Sequence, residues 1–206
     1  MRFDPLQVSV RDMYQLLIGL VTPRPIAWVT SLSPNGITNL APFSFFNAIT
    51  ANPPTLVFSC ANRRDGSKKD TIRNIEAVPQ FVVNVCSYDQ REAMNDTSAE
   101  LDYEVNELET FGLTGVPSET IAPCRVAESK AQFECVVHQI VQVGQGSLAA
   151  NLVIGRITMI HARDELFASD GSIDAAKLDT IGRMGGSQYT RTTELFSMAR
   201  PTRTGK

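Results

Sequence analysis

Within residues 63–69, basic side chains outnumber acidic ones four to one: Arg63, Arg64, Lys68 and Lys69 against Asp65. They stand where an apolar run, "TLVFSCA", gives way through a flexible Asp65-Gly66 to a helix expected to open at Ser67. The free N–H groups and positive dipole end of a helix start favour an anion, and lysines there add charge. A capped helix beside a solvated basic loop accounts for the same residues. Cations are, however, misplaced at a helix start on structural grounds alone, which tilts the reading toward an external anion.

A second group of polar residues lies just upstream. From Pro23 to Thr50 the only charged residue is Arg24, yet Thr30, Ser31, Ser44, Asn47 and Thr50 run through the stretch. Polar groups in apolar surroundings need partners. A planar, heteroaromatic, phosphorylated ligand would meet both groups, with hydroxyls and amides on the ring edge and cations on the phosphate. Ordinary strand and turn-capping roles for Ser and Thr explain these positions as well.

Other chemistries find little footing. There is no GxGxxG after a strand, no GxxxxGK[ST] loop and no GxSxG elbow. His138 and His161 each sit on a strand without a Cys, Asp or Glu at ligand spacing, so no metal site is expected. No catalytic acid, base or nucleophile emerges, and His161 reads as a satisfied strand histidine. The chemistry is expected to belong to something the chain binds.

The elements that must position these residues follow from turn signals and periodicity. Ser9-Val10-Arg11-Asp12 has the form of a capping box, followed at helical spacing by Met13, Leu16, Leu17 and Leu20, with Pro23 as a stop. "IAWVTSL" and "ITNLAPFSFFNAIT" read as a hairpin about the turn Ser33-Pro34-Asn35-Gly36, with Pro42 marking an edge or bulge. Ser67-Lys68-Lys69-Asp70 reads as a second capping box, with Ile72 and Ile75 inward. "QFVVNVCSY" is a strand; residues 91–110, with seven acidic side chains and one basic, read as a solvated helix and loop. Two long strands meet around Gly144 to Ala150. Six or seven strands joined mostly by turns, with about three helices, predict a mainly β, antiparallel barrel or sandwich rather than a doubly wound sheet.

The bulk properties set limits. A chain of 206 residues with 43% hydrophobic and 20% charged content suits one globular domain, 1–206, and no repeat or linker divides it. A net charge of −3 gives no general attraction to nucleic acid or anionic lipid. No apolar run reaches bilayer length, no signal peptide is evident, and Cys60, Cys86, Cys124 and Cys135 form no CxxC, which together predict a cytoplasmic protein with reduced thiols.

The succession PRPIAWV, NLAPFSFF, KKDTIRNI and FVVNV resembles the flavin reductase-like, FMN-binding split-barrel family, which includes flavoredoxins and flavin reductases. The likeness is strong over residues 10–87 and looser through "VIGRITMIHARDEL" to "IGRMGGSQYTRT". It implies a homodimeric split β-barrel holding FMN near the subunit interface. Thr30, Ser31, Leu32, Asn47, Ala48 and Ile49 would line the ring and ribityl chain; Ser59, Cys60, Lys69, Asp70 and Thr71 would take the ribityl and phosphate region. Asp70, awkward beside a phosphate, is expected to turn back to the Ser67 amide. Tyr189 and Met184 occupy the late segment that approaches the flavin. Trp28 and the Phe43–Phe45–Phe46 group are assigned to packing. The implied activity passes hydride from NAD(P)H through FMN to a flavin, a small molecule or a protein acceptor; a tightly loaded electron carrier and a non-catalytic FMN-binding protein are the alternatives. The basic tail, residues 190–206, is expected to cross the dimer on Leu195, Phe196 and Met198.

Overall fold

The computed structural model describes residues 1–201; Arg203 and Lys206 of the basic tail lie outside the described residues. Ser9 opens the first helix, α1 (Val10–Leu20), accepting from the Asp12 amide at 3.1 Å while its hydroxyl donates to the Asp12 carboxylate. Of this helix only Ile18 is buried, and Leu17 and Leu20 face outward. Its C-terminal end is held by Arg24, whose Nη1 donates to the Ile18 and Val21 carbonyls, each at 2.6 Å. Met13 and Leu16 are half-buried, and Val10, Tyr14, Leu17 and Leu20 are exposed.

The strands begin with β1 (Ala27–Leu32), β2 (Thr38–Phe43), β3 (Phe46–Ala51) and β4 (Pro54–Ala61), then α2 (Asp70–Ala77) and β5 (Gln80–Val85). The acidic middle holds α3 (Arg91–Asp96), α4 (Glu107–Thr110) and a small ladder of β6 (Gly115–Val116) with β7 (Arg125–Val126). A long hairpin of β8 (Ala131–Val143) and β9 (Ala150–Ala162) follows, then α5 (Ala175–Leu178) and a second small ladder, β10 (Ile181–Arg183) with β11 (Tyr189–Arg191). Seven strands form one antiparallel sheet in the order β2-β1-β5-β8-β9-β4-β3, in line with the mainly β expectation.

The stretch 37–50 corrects the sequence reading. It is not one returning strand; it breaks at Ser44-Phe45 into β2 and β3, which lie at opposite edges of the sheet. Pro42, which has no N–H to donate, sits in the edge strand β2 as expected. Because the two edges are consecutive in the chain, the sheet must curl to bring them together. The Ser59 amide donates to the Phe45 carbonyl at 2.8 Å, tying that bend to β4.

Two clusters pack on the two faces. Ala27, Val29, Phe43, Phe58, Phe81 and Val153 are among those filling the interior of the curl, and Ile72 and Ile75 of α2 plug it from one end. The Phe58 ring lies 5.1 Å from Phe43 and meets Phe81 edge-on at 5.3 Å. Trp28, Leu40, Met94 and Leu108 belong to the second cluster, on the outside of β1 and β2, with the Trp28 indole donating to Thr97 Oγ1 at 2.9 Å. The acidic segment is therefore not wholly solvated: Met94, Thr97, Glu107 and Leu108 are all buried. Its apolar residues roof the outer sheet, and its charges apart from Glu107 are not buried.

Candidate functional site

The start of α2 departs from the expected capping box. Lys69 stands at the cap position with no side-chain cap, and Asp65 Oδ1 accepts from both the Ser67 amide at 2.8 Å and the Ser67 hydroxyl at 2.6 Å. Asp70 does not turn back to Ser67. Its carboxylate accepts from Arg63 Nη2 at 2.7 Å and from Arg73 Nη1 at 3.4 Å. A short Asx loop at Asp65 has displaced the box because its carboxylate lies only two residues from the amide it serves. Asp70 is thus neutralised by two guanidinium groups, which removes the main objection to an anion beside it. Lys68 is drawn off to Glu76. The first-turn amides of Asp70 and Thr71 have no helical acceptor, as at any helix start.

Lys69, Asp70 and Thr71 line a cleft enclosing about 80 Å³, walled by Asn39 and Phe43 of β2 and by the turn 97–101. Asn39 Nδ2 donates to Thr71 Oγ1 at 3.1 Å, and Ser31 Oγ accepts from Asn74 Nδ2 at 3.3 Å, so β1 and β2 are stitched to α2 by side chains. Tyr103 lines a smaller hollow that shares Asn39, Asp70 and Glu107 with the cleft: its hydroxyl donates to Asn74 Oδ1 at 3.0 Å, and the Arg73 guanidinium lies 3.6 Å above its ring. Beneath sits Cys60, whose thiol burial pushes up to about 12 despite the Lys69 and Arg63 charges. It stays neutral and supplies no nucleophile.

This architecture has known relatives. A family model, the flavin reductase like domain, matches residues 19–176. The chain belongs to the flavin reductase-like family. Among solved members with close likeness is nitrilotriacetate monooxygenase component B from Bacillus cereus, 36% identical, with 96% of this chain and 98% of that one covered at a TM-score of 0.91. The Pseudomonas fluorescens 2-nitrobenzoate 2-nitroreductase NbaA is 30% identical, covering 100% and 99% at 0.87. A Shewanella frigidimarina protein assigned as a flavin reductase with a split barrel domain shares the fold at 21% identity, a TM-score of 0.82, and 98% and 100% coverage. The curled seven-stranded sheet is therefore a split barrel.

Within this flavin reductase-like chain the other expected residues are dispersed. Strand alternation turns Thr30 away from Ser31: Thr30 is fully buried in the outer layer, and its hydroxyl donates to the Cys124 carbonyl at 2.6 Å. Leu32 is half-buried at the end of β1. Ser59 and Cys60 likewise point to opposite faces of β4. Asn47, Ala48 and Ile49 are exposed on β3, a sheet edge that pairs with β4 alone among the described residues, and do not line the enclosed cleft. The Tyr189 hydroxyl donates to Asn95 Oδ1 at 3.3 Å with Arg183 over its ring at 4.4 Å, next to the turn that walls the cleft. The Met184 carbonyl accepts from Arg24 Nη2 at 2.9 Å.

Sequence reasoning missed Asn39, the turn 97–101 and Glu107 as cleft residues. Glu107 sat in a stretch read as solvated, but Asn106 caps α4 through the Leu108 and Glu109 amides and turns Glu107 inward. Its Oε2 accepts from the Leu40 amide at 3.1 Å. Burial pushes its carboxyl up to about 7, with the Glu107 and Leu40 amides pulling down and Asp70 pushing up. His161 is satisfied by Glu134, its Nε2 lying 2.7 Å from Oε1.

Proposed function

We propose that the chain, as one domain over residues 1–206, is an FMN-dependent oxidoreductase that draws reducing equivalents from NAD(P)H and delivers them to a flavin or another acceptor. The observation that carries this is the cleft itself: Lys69, Thr71, a helix start and an already neutralised Asp70 converge where β2 bends into β3. These groups fit a phosphate end. A volume of 80 Å³ is far below the roughly 300 Å³ or more of a small-molecule pocket, so a flavin ring would lie outside the enclosure, along the exposed edge of β3. There, along Asn47, Ala48 and Ile49, the backbone groups that point away from β4 would be open to a ligand. Ser31 would act through Asn74, and Thr30, Leu32, Ser59 and Cys60 would shape the strands beneath. Tyr189 would bound the ring side through Asn95.

The chemistry FMN supplies when bound is two-electron redox at its ring, which needs no protein acid or base. The chain's tasks are to clamp the phosphate at Lys69 and Thr71, to orient the ligand along β3, and to keep water from one side with the turn 97–101.

A homodimer completes this arrangement. Along α1 the exposed Val10, Tyr14, Leu17 and Val21 form a stripe at helical spacing, and Phe45 and Ile49 are exposed by the β2–β3 bend. Patches of this kind favour a second copy over water. Four unpaired cysteines suit a reducing compartment, hence a cytoplasmic setting, and among the described residues no helix is long and apolar enough to cross a membrane.

The deciding experiment is an absorption spectrum of the purified protein with identification of any released chromophore, followed by NAD(P)H oxidation at saturating FMN. A colourless protein that refuses micromolar FMN would overturn the proposal. Reduction by a redox partner but not by NAD(P)H would make it an electron carrier.

A further inference from the structure

Three acidic side chains line the cleft assigned to a phosphate, Asp70, Glu100 and the buried Glu107, and the fold treats the first and last differently. Asp70 is paired with Arg63 and Arg73. Glu107, only 8% exposed, has no cationic partner within 4 Å among the described residues. One of its oxygens accepts from the Leu40 amide at 3.1 Å, and the Glu107 backbone amide also acts on the carboxyl, so the donors it has are neutral amides. The ionisable groups around it are Arg63 and Lys69 at the mouth of α2, Asp70 on α2, and Glu100, Asp102, Tyr103 and Glu104 on the segment leading to α4. Glu109 is on its own helix, and β2 brings none.

A buried carboxylate without a cation is disfavoured relative to the neutral acid. In its neutral form the carboxyl becomes a donor, and phosphate oxygens are acceptors. We propose that Glu107 is a ligand-binding residue that holds the FMN phosphate as the protonated acid, donating its O–H to a phosphate oxygen, so that FMN is taken up together with one proton. This rests on the flavin reading above. An ionised Glu107 and a dianionic phosphate repel each other, so the proton is what lets both occupy the cleft. The raised pKa of this carboxyl, about 7, puts the exchange at neutral pH.

The test is FMN affinity, read by flavin fluorescence, for the wild type and for Glu107→Gln, with riboflavin as the ligand lacking phosphate. The window lies above the second ionisation of a phosphate monoester, about 6. Wild-type FMN affinity is expected to fall about tenfold or more from pH 7 to 9, while riboflavin affinity holds level. Glu107→Gln keeps an acceptor for the Leu40 amide and a neutral donor for the phosphate, so its FMN affinity stays level over that range. Calorimetry on the wild type in two buffers of different ionisation enthalpy, at about pH 8, should show about one proton taken up per FMN. Tight FMN binding that is level with pH, a fall shared by riboflavin, or no proton uptake would each overturn the Glu107 role alone. Failure of FMN to bind at any pH would overturn the flavin reading and the Glu107 role with it.

Discussion

Lys68 and Lys69 are neighbours of the same type, yet only one is available to a ligand. Lys68 pairs with Glu76 on the outside of α2, whereas Lys69 lines the cleft. Lys69→Glu should therefore weaken FMN about tenfold or more while barely changing riboflavin, since a charge-assisted contact is worth about 1.5–3 kcal/mol. Equal loss for both ligands would remove Lys69 from the phosphate site. Glu134 shows the opposite use of a carboxyl. Its burial pushes the pKa up, but the Thr120 hydroxyl, the Glu119 and Thr120 amides and His161 outweigh that and bring it from 4.5 to about 2. A carboxyl with a depressed folded pKa stabilises the fold above its ordinary value and loses that contribution as pH falls through the folded one. Glu134→Gln should therefore be destabilised at pH 7, and denaturant midpoints should show the gap to wild type closing between about pH 4.5 and 2. A gap that stays constant would mean the carboxylate's charge is irrelevant there.

At the scale of elements, the barrel depends on close approach at one glycine. A Cβ on Gly155 of β9 would lie 2.4 Å from Phe81 Cζ and 2.9 Å from Cε1, with Cys135 Cβ at 3.3 Å. Phe81 is fully buried and edge-on to Phe58, so its ring has nowhere to retreat. Gly155→Ala should lower unfolding stability by about 1–3 kcal/mol, the usual cost of overpacking, measured by urea denaturation. A neutral outcome would show that the Phe81 ring can swing aside. The elements themselves were largely legible. The hairpin turn at Ser33-Pro34-Asn35-Gly36 forms with the Gly36 amide on the Ser33 carbonyl at 3.0 Å and Gly36 at φ 82°, a backbone that glycine adopts freely. The strand runs 55–61, 80–85 and the long pair 131–162 lie where apolar β-branched residues cluster. The break at Ser44-Phe45 was not legible, because local pattern carries no signal that two halves of one apolar run will pair with different partners.

For the whole molecule, the question is what covers α1 and the tail. Arg191 binds Asp179 through two 2.7 Å contacts and the Thr192 amide donates to the Thr180 carbonyl at 3.1 Å, so the chain is anchored up to Thr192. Beyond it Leu195, Phe196 and Met198 are exposed. Truncation after Thr192 should leave the fold intact but loosen the dimer and weaken FMN, as read by sedimentation and fluorescence; an unchanged dimer with full affinity would remove the tail's role. The sequence by itself determined the antiparallel strand content, the presence of a helix with Ile72 and Ile75 inward after the basic loop, and the resemblance that carried the family, because turn chemistry, periodicity and short motifs are local. Only the tertiary structure decided that Asp70 answers to Arg63 rather than Ser67, that Thr30 and Ser31 part to opposite faces, and that Glu107 enters the cleft. Those outcomes depend on which side chain lies nearest in space once the sheet has curled, and distance across the fold is not written in any neighbouring residue.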